Sequence, residues 1–176
     1  MDQSQYILLQ RLPTPQEYHD LRRDANLTPP PMEFIPKALA GSFACFTIFE
    51  RKHMVDDTTP GGDQHPVAMG RLLGDGSLFL QLCDVAVHPE HQGKGLGKCI
   101  MKALTDYVDE NAPQAYVSLV AEPVAQGLYP KYGFEDVKPS IGMYRCRWIQ
   151  DNPEFQEKRK AKAAALMHKE RPSRPE

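Results

Sequence analysis

The stretch DVAVHPEHQGKGLGKCIMKAL, residues 84–104, sets three glycines, Gly93, Gly95 and Gly97, between an apolar run and an amphipathic one. Glycine is the costliest residue to order. Three in five positions therefore imply either positive φ or a group that must approach the backbone closely. After the glycines, Leu96, Ile100, Met101, Leu104 and Val108 recur at helical spacing and predict a helix with one buried face. Before them, SLFLQLCDVAV (77–87) reads as a strand. A strand, a glycine loop and a helix in that order place bare N–H groups at a helix N-terminus, where the macrodipole favours an anion.

Two phosphate loops can be tested against these residues. A dinucleotide fingerprint needs GxGxxG, whereas the spacing here is GxGxG. A P-loop ending at Gly97-Lys98 would need glycine at 92 and Ser or Thr at 99, and the chain has Gln92 and Cys99. Both fail. What the loop does match is Gln-x-x-Gly-x-Gly, written Gln92-Gly93-Lys94-Gly95-Leu96-Gly97. It lies between the GDG turn (74–76) and the later run LYPKYGF (128–134), across about residues 72–134. This combination resembles the GNAT superfamily of N-acetyltransferases.

The resemblance implies acetyl-coenzyme A as co-substrate, with no metal. Its pyrophosphate would lie on Gln92, Gly93, Lys94, Gly95, Leu96, Gly97 and Lys98, with Tyr132 a neighbour. Its pantetheine arm would run along Asp84, Val85, Ala86 and Val87, entering as a pseudo-strand where the fourth and fifth strands part. A Val85 or Val87 N–H near the thioester would stabilise negative charge developing on its oxygen. Tyr129 takes the position of the proton donor to the departing sulfur, a role suited to a phenol that stays protonated at neutral pH. Pro130 departs from the pattern and should end or kink the helix there. Asp84 is the candidate base, acting through water, beside the alternative of a water chain with no dedicated base. His88 and His91 have suitable intrinsic pKa values but flank the cofactor loop.

Outward from this centre, YILLQRL (6–12) reads as a first strand and PQEYHDLRRDA (15–25) as a helix capped by Thr14. Three consecutive prolines (29–31) break regular structure, and a short helix follows over 33–40, interrupted by Pro36. SFACFTIFER (42–51) and VAMGRLL (67–73) are strands joined by a long exposed connection, 52–66. QAYVSLVA (114–121) is a fifth strand, PVAQGLY (123–129) a short helix, and GFEDV (133–137) with GMYRCRW (142–148) a closing pair of strands. The expected fold is α/β (α+β): one mixed, mostly antiparallel central sheet flanked by helices. Residues 1–152 are expected to form one N-acetyltransferase domain, and 153–176, with seven basic and four acidic residues, a charged tail or surface helix.

Composition sets the bounds. A net charge of −2 over 176 residues argues against a direct nucleic-acid binder, and no apolar run reaches membrane-spanning length. The expected place is the cytoplasm, with the nucleus left open. Cys45, Cys83, Cys99 and Cys146 lack zinc spacing and read as reduced, buried residues. The acceptor is expected beside the first helices and the last strands, with Phe34 and Tyr144 lining its site. A small primary amine (an arylalkylamine or amino sugar) is the favoured acceptor. Protein lysine or N-terminal acetylation is the alternative, as is a non-catalytic acetyl-coenzyme A sensor. A homodimer is left open.

Overall fold

A computed structural model describes residues 1–62 and 64–169. The chain divides into two compact units, residues 1–135 and 136–176. The expected boundary after residue 152 thus falls inside the second unit.

The first unit is built on five strands in sequential order: β1 (Tyr6–Gln10), β2 (Ser42–Glu50), β3 (Ala68–Gly74), β4 (Phe79–Val87) and β5 (Tyr116–Ser118). The first three pairings are antiparallel and β4–β5 is parallel. Period-two alternation sorts each strand's side chains onto two faces. Ala44, Phe46 and Ile48 of β2, with Ala68 and Leu72 of β3, pack on one face with α3 (Leu96–Asn111). Met69 of β3 packs on the other with α1 (Pro15–Asp24) and α2 (Ile35–Ala40), through Tyr18, Leu21, Ile35 and Leu39.

The helices follow local signals. Thr14 and Glu17 close a capping box: the Glu17 N–H donates to Thr14 Oγ1 at 3.2 Å, and the Thr14 N–H to Glu17 Oε2 at 2.6 Å. Pro36 lies in the first turn of α2, where its missing donor costs nothing, so it opens that helix instead of interrupting it. Of the five α3 residues expected to be buried, Leu96, Ile100, Met101 and Leu104 are buried and Val108 is half-buried. The helix reaches the sheet over Gly70, where an added Cβ would stand 2.4 Å from Ile100 Cγ2.

Several expectations need correction. The fifth strand is only three residues long. The helix expected over 123–129 is two separate 3-10 turns, Pro123–Ala125 and Tyr129–Tyr132. Pro130 sits in the first turn of the second and begins it, where a proline at an interior position would have ended it. The closing pair of strands does not form. Residues 134–146 carry no strand, and helix α4 (Arg147–Gln150) occupies the end of the run expected to be the last one. Pro139 removes a donor, and Ile141 and Met143 are 78% and 88% exposed, so no buried face pins a register. In the second unit, residues 153–169 form helix α5 (Pro153–Lys169).

All four cysteines are free, Cys45 buried and the others partly so. Among the described residues no helix is long and apolar enough to cross a membrane.

Candidate functional site

Strand β4 changes character halfway along. Its register against β3 passes from Met69↔Ala86 to Arg71↔Cys83, so β4 carries one extra residue there. Asp84 sits in this bulge with φ +56°, a left-handed conformation that Asp tolerates better than most residues. The extra residue reverses the strand's facing. Leu82 points to the α3 side before the bulge, and Val85 and Val87 do so after it, while Ala86 turns to the α1 side.

On the other side of β4, pairing with β5 covers only Phe79↔Tyr116, Leu80↔Val117 and Gln81↔Ser118. Residues 82–87 therefore continue without a β5 partner. Their backbone on that side is free to pair with an extended guest.

The glycine loop lies just beyond. A 3-10 turn, Pro89–His91, leads into it, and Gln92 Nε2 donates to the Val87 carbonyl at 3.1 Å, fastening the loop to the strand end. Gly93 and Gly95 have φ of +75° and +81°, and Gly95 is the N-cap of α3. A Cβ at Gly93 would meet nothing within 4 Å, so conformation, not crowding, requires glycine there. The first N–H groups of the 16-residue helix α3 have no intrahelical acceptors, and the exposed Lys94 and Lys98 flank them. This donor set fits an anionic phosphate group.

Tyr129 stands in the second 3-10 turn, 9% exposed, with its ring edge-to-face against Phe134 at 6.2 Å. Among the described residues, none hydrogen-bonds its hydroxyl. Burial, with Glu122 adding negative charge, pushes its pKa above the usual phenol value, so the group is a proton donor at neutral pH. Tyr132 donates its hydroxyl proton to the Lys98 carbonyl at 2.9 Å, tying this turn to the start of α3.

Asp84 is not a free carboxylate. It accepts from the Tyr18 hydroxyl at 2.9 Å and from Arg71 Nε at 2.8 Å, and it also pairs with Arg22. The Arg71 and Asp84 side chains are 7% and 6% exposed. Burial first, and then the charge of Asp84, drive the Tyr18 pKa well above its usual range. Sequence reading missed Tyr18, Arg22 and Arg71. The one signal was Arg71 itself, a charge inside an otherwise apolar strand. Burial pushes the thiols of Cys45 and Cys83 up to about 12, which leaves both as neutral thiols at neutral pH.

The pattern of the acetyltransferase (GNAT) domain matches residues 61–150, just over half of the chain. The chain belongs to the GNAT acetyltransferase family. It is 32% identical over 96 residues to the rice chloroplastic protein named serotonin N-acetyltransferase 2, covering 53% of this chain and 48% of that one. It is 35% identical over 71 residues to the Arabidopsis chloroplastic GCN5-related N-acetyltransferase 1, covering 40% and 36% of the two chains. The chain spans about half the length of the curated relatives it matches, 48% of the rice protein for example. A solved structure from methicillin-resistant Staphylococcus aureus, described as a "Probable Acetyltransferase", superposes with a TM-score of 0.69 at 31% identity, over 80% of this chain and 98% of that one. The GNAT fold, a mixed sheet flanked by helices, is thereby established.

Within this GNAT domain the expected cofactor residues fall into one region of the first unit: Val85, Ala86 and Val87 on the part of β4 that lacks a β5 partner, and Gln92 to Lys98 at the head of α3. Phe34 is 63% exposed in a 3-10 turn, Met32–Phe34, ahead of α2. Tyr144 lies in the second unit, where Arg159 donates to its hydroxyl and stacks its guanidinium 5.2 Å from the ring centre.

Proposed function

We propose that this chain is an N-acetyltransferase that moves an acetyl group from acetyl-coenzyme A to a primary amine of a small molecule, both held together in a ternary complex. The observation that carries this reading is the conjunction of the early end of β4–β5 pairing, after Gln81↔Ser118, with the glycine loop at the head of α3. One offers an extended backbone edge and the other an anion cradle. A ligand with a pyrophosphate and an amide-bearing arm needs both.

Acetyl-coenzyme A supplies the activated acyl group when bound. The N–H groups of Gly93 to Lys98 hold its phosphates, and the free edge of residues 82–87 holds its arm. An N–H of Val85 or Val87 steadies negative charge at the acyl oxygen. The Tyr129 hydroxyl gives its proton to the sulfur as the carbon–sulfur bond breaks and the amine nitrogen bonds to the acyl carbon. It recovers a proton from solvent afterwards. The amine's proton leaves through water. Asp84, already accepting from Tyr18, Arg22 and Arg71, serves better as an anchor that fixes the bulge than as a base.

A small amine is favoured by the exposed Phe34 beside the proline-rich turn, and an arylalkylamine in particular by the name of the rice relative. The test is thiol release from acetyl-coenzyme A across arylalkylamines, amino sugars and lysine peptides. Turnover with an arylalkylamine or amino sugar supports the proposal. Turnover with peptides alone makes the chain a protein acetyltransferase. Coenzyme binding without turnover on any amine makes it a sensor.

A further inference from the structure

The segment that leads into the glycine loop carries a group of side chains that the acetyl-transfer reading does not use. His88, Glu90 and His91 each offer one ligand atom, and the three atoms lie within 4.8 Å of one another. They come from one tight piece of backbone. His88 caps the 3-10 turn Pro89–His91, and Glu90 and His91 are its second and third residues. The two imidazole centres are 5.7 Å apart, with their planes at 66°.

One imidazole has a hydrogen-bonded oxygen partner, and the other an acidic neighbour at ion-pair distance. The Tyr6 hydroxyl lies 2.9 Å from His91 Nδ1, and an Asp24 carboxylate oxygen lies 4.0 Å from His88 Nε2. A metal-bound imidazole uses one nitrogen for the ion and directs the other N–H to an outer oxygen that fixes ring orientation and tautomer. Here that division leaves His91 Nε2 and His88 Nδ1 to face an ion. His88 Nδ1 accepts the capping N–H of Glu90 at 3.4 Å, a long hydrogen bond that an ion would have to displace.

We propose that His88, Glu90 and His91 form a binding site for a divalent transition metal of the zinc class, with Tyr6 orienting the His91 ring and Asp24 adding negative charge beside His88. Two imidazole nitrogens and one carboxylate oxygen are a donor set for such an ion, with water completing the tetrahedron. Metal–ligand bonds of about 2.0–2.2 Å require the three atoms to close to roughly 3.3 Å apart. Side-chain rotation supplies that movement, because Glu90 is exposed and the His88 side chain is 32% exposed. Magnesium and calcium, which favour all-oxygen sites, are not matched by two imidazoles. A dication here would pin the turn from which Gln92 reaches back to Val87, and so would stiffen the entrance to the glycine loop.

The test uses the 176-residue chain without an affinity tag, stripped with a chelator and titrated with Zn²⁺ against a chromogenic zinc indicator at neutral pH. One Zn²⁺ per chain is expected, undisturbed by excess Mg²⁺. His88→Asn combined with His91→Asn should weaken binding by more than tenfold. Tyr6→Phe, which would not touch the ion, should weaken it by about tenfold. With Co²⁺ the spectrum should show nitrogen and oxygen ligation without a thiolate-to-cobalt charge-transfer band. Zn²⁺ affinity unchanged in the double histidine variant, a thiolate band with Co²⁺, or no stoichiometric binding to the parent chain would each overturn the site. Circular dichroism checks that every variant folds, and His88→Asn alone replaces the double variant if that one does not.

Discussion

Arg71 Nε donates to Asp84 Oδ2 at 2.8 Å, joining β3 to the bulge of β4 through side chains that are almost wholly buried. Arg22 of α1 pairs with the other oxygen of the same carboxylate, and Tyr18 of α1 donates to the first. One carboxylate thus fastens a helix to the strand irregularity that frees the edge of residues 82–87. Removing it would leave Arg22 and Arg71 without their shared counter-charge in a largely buried site. Asp84→Ala should cost about 3–5 kcal/mol in urea denaturation, because the charges it leaves are uncompensated. Arg71→Met should cost less, since Arg22 still neutralises Asp84. The reverse order would mean that the carboxylate does not organise the cluster.

Tyr129 is buried against Phe134, with a hydroxyl that no described residue hydrogen-bonds. Tyr129→Phe therefore keeps the ring packing and removes only the hydroxyl with its proton. The unfolding midpoint and coenzyme A affinity should stay within error of the parent. Turnover should fall by about a hundredfold or more, the usual range for loss of a positioned acid. Calorimetric titration beside steady-state kinetics checks both halves. Equal loss of binding and turnover would make the residue structural.

Two glycines should fail in different ways. At Gly70 a methyl group would meet Ile100 and Leu104 at 2.4 and 2.8 Å, so Gly70→Ala should destabilise by about 1–3 kcal/mol through overpacking. Its effect on coenzyme A affinity should be small where the protein is folded. At Gly95, φ is +81° and the position caps α3. Gly95→Glu adds a negative charge where a phosphate is to bind, and should abolish coenzyme A binding in calorimetry. Retained affinity would place the phosphates elsewhere.

The thiols of Cys45 and Cys83, pushed up to about 12 by burial, make alkaline stability a readout of the core. A thiol whose folded pKa is raised contributes fully below its unfolded value of about 9. Above that pH the unfolded chain ionises and the folded one does not, so the contribution is lost as pH rises towards 12. Unfolding free energy should fall more steeply over this window in the parent than in a Cys45→Ala, Cys83→Ala double variant. Ellman's reagent should label both thiols at mildly alkaline pH only after denaturant is added. Rapid labelling in the native state would contradict their burial.

The sequence alone was enough to locate β1 to β4, α1 and α3. Each rests on a local cause: alternation in FACFTIF, the Thr14–Glu17 box, and the apolar spacing after Gly97. The glycine loop was legible for the same reason, because positive φ at Gly93 and Gly95 is written in residues that have no side chain. Tertiary structure decided what local pattern leaves open. The closing strands fail because apolar Ile141 and Met143 find no face to cover, and β5 stops after three residues, its pairing ending at Gln81 before β4 reaches its bulge. Above all, it decided the place of Asp84. Tyr18, Arg22 and Arg71 converge on it from 66, 62 and 13 residues away. A carboxylate read along the chain looks free to accept a proton. Folded among two guanidinium groups and a phenol, its lone pairs are already engaged, and its charge holds the frame.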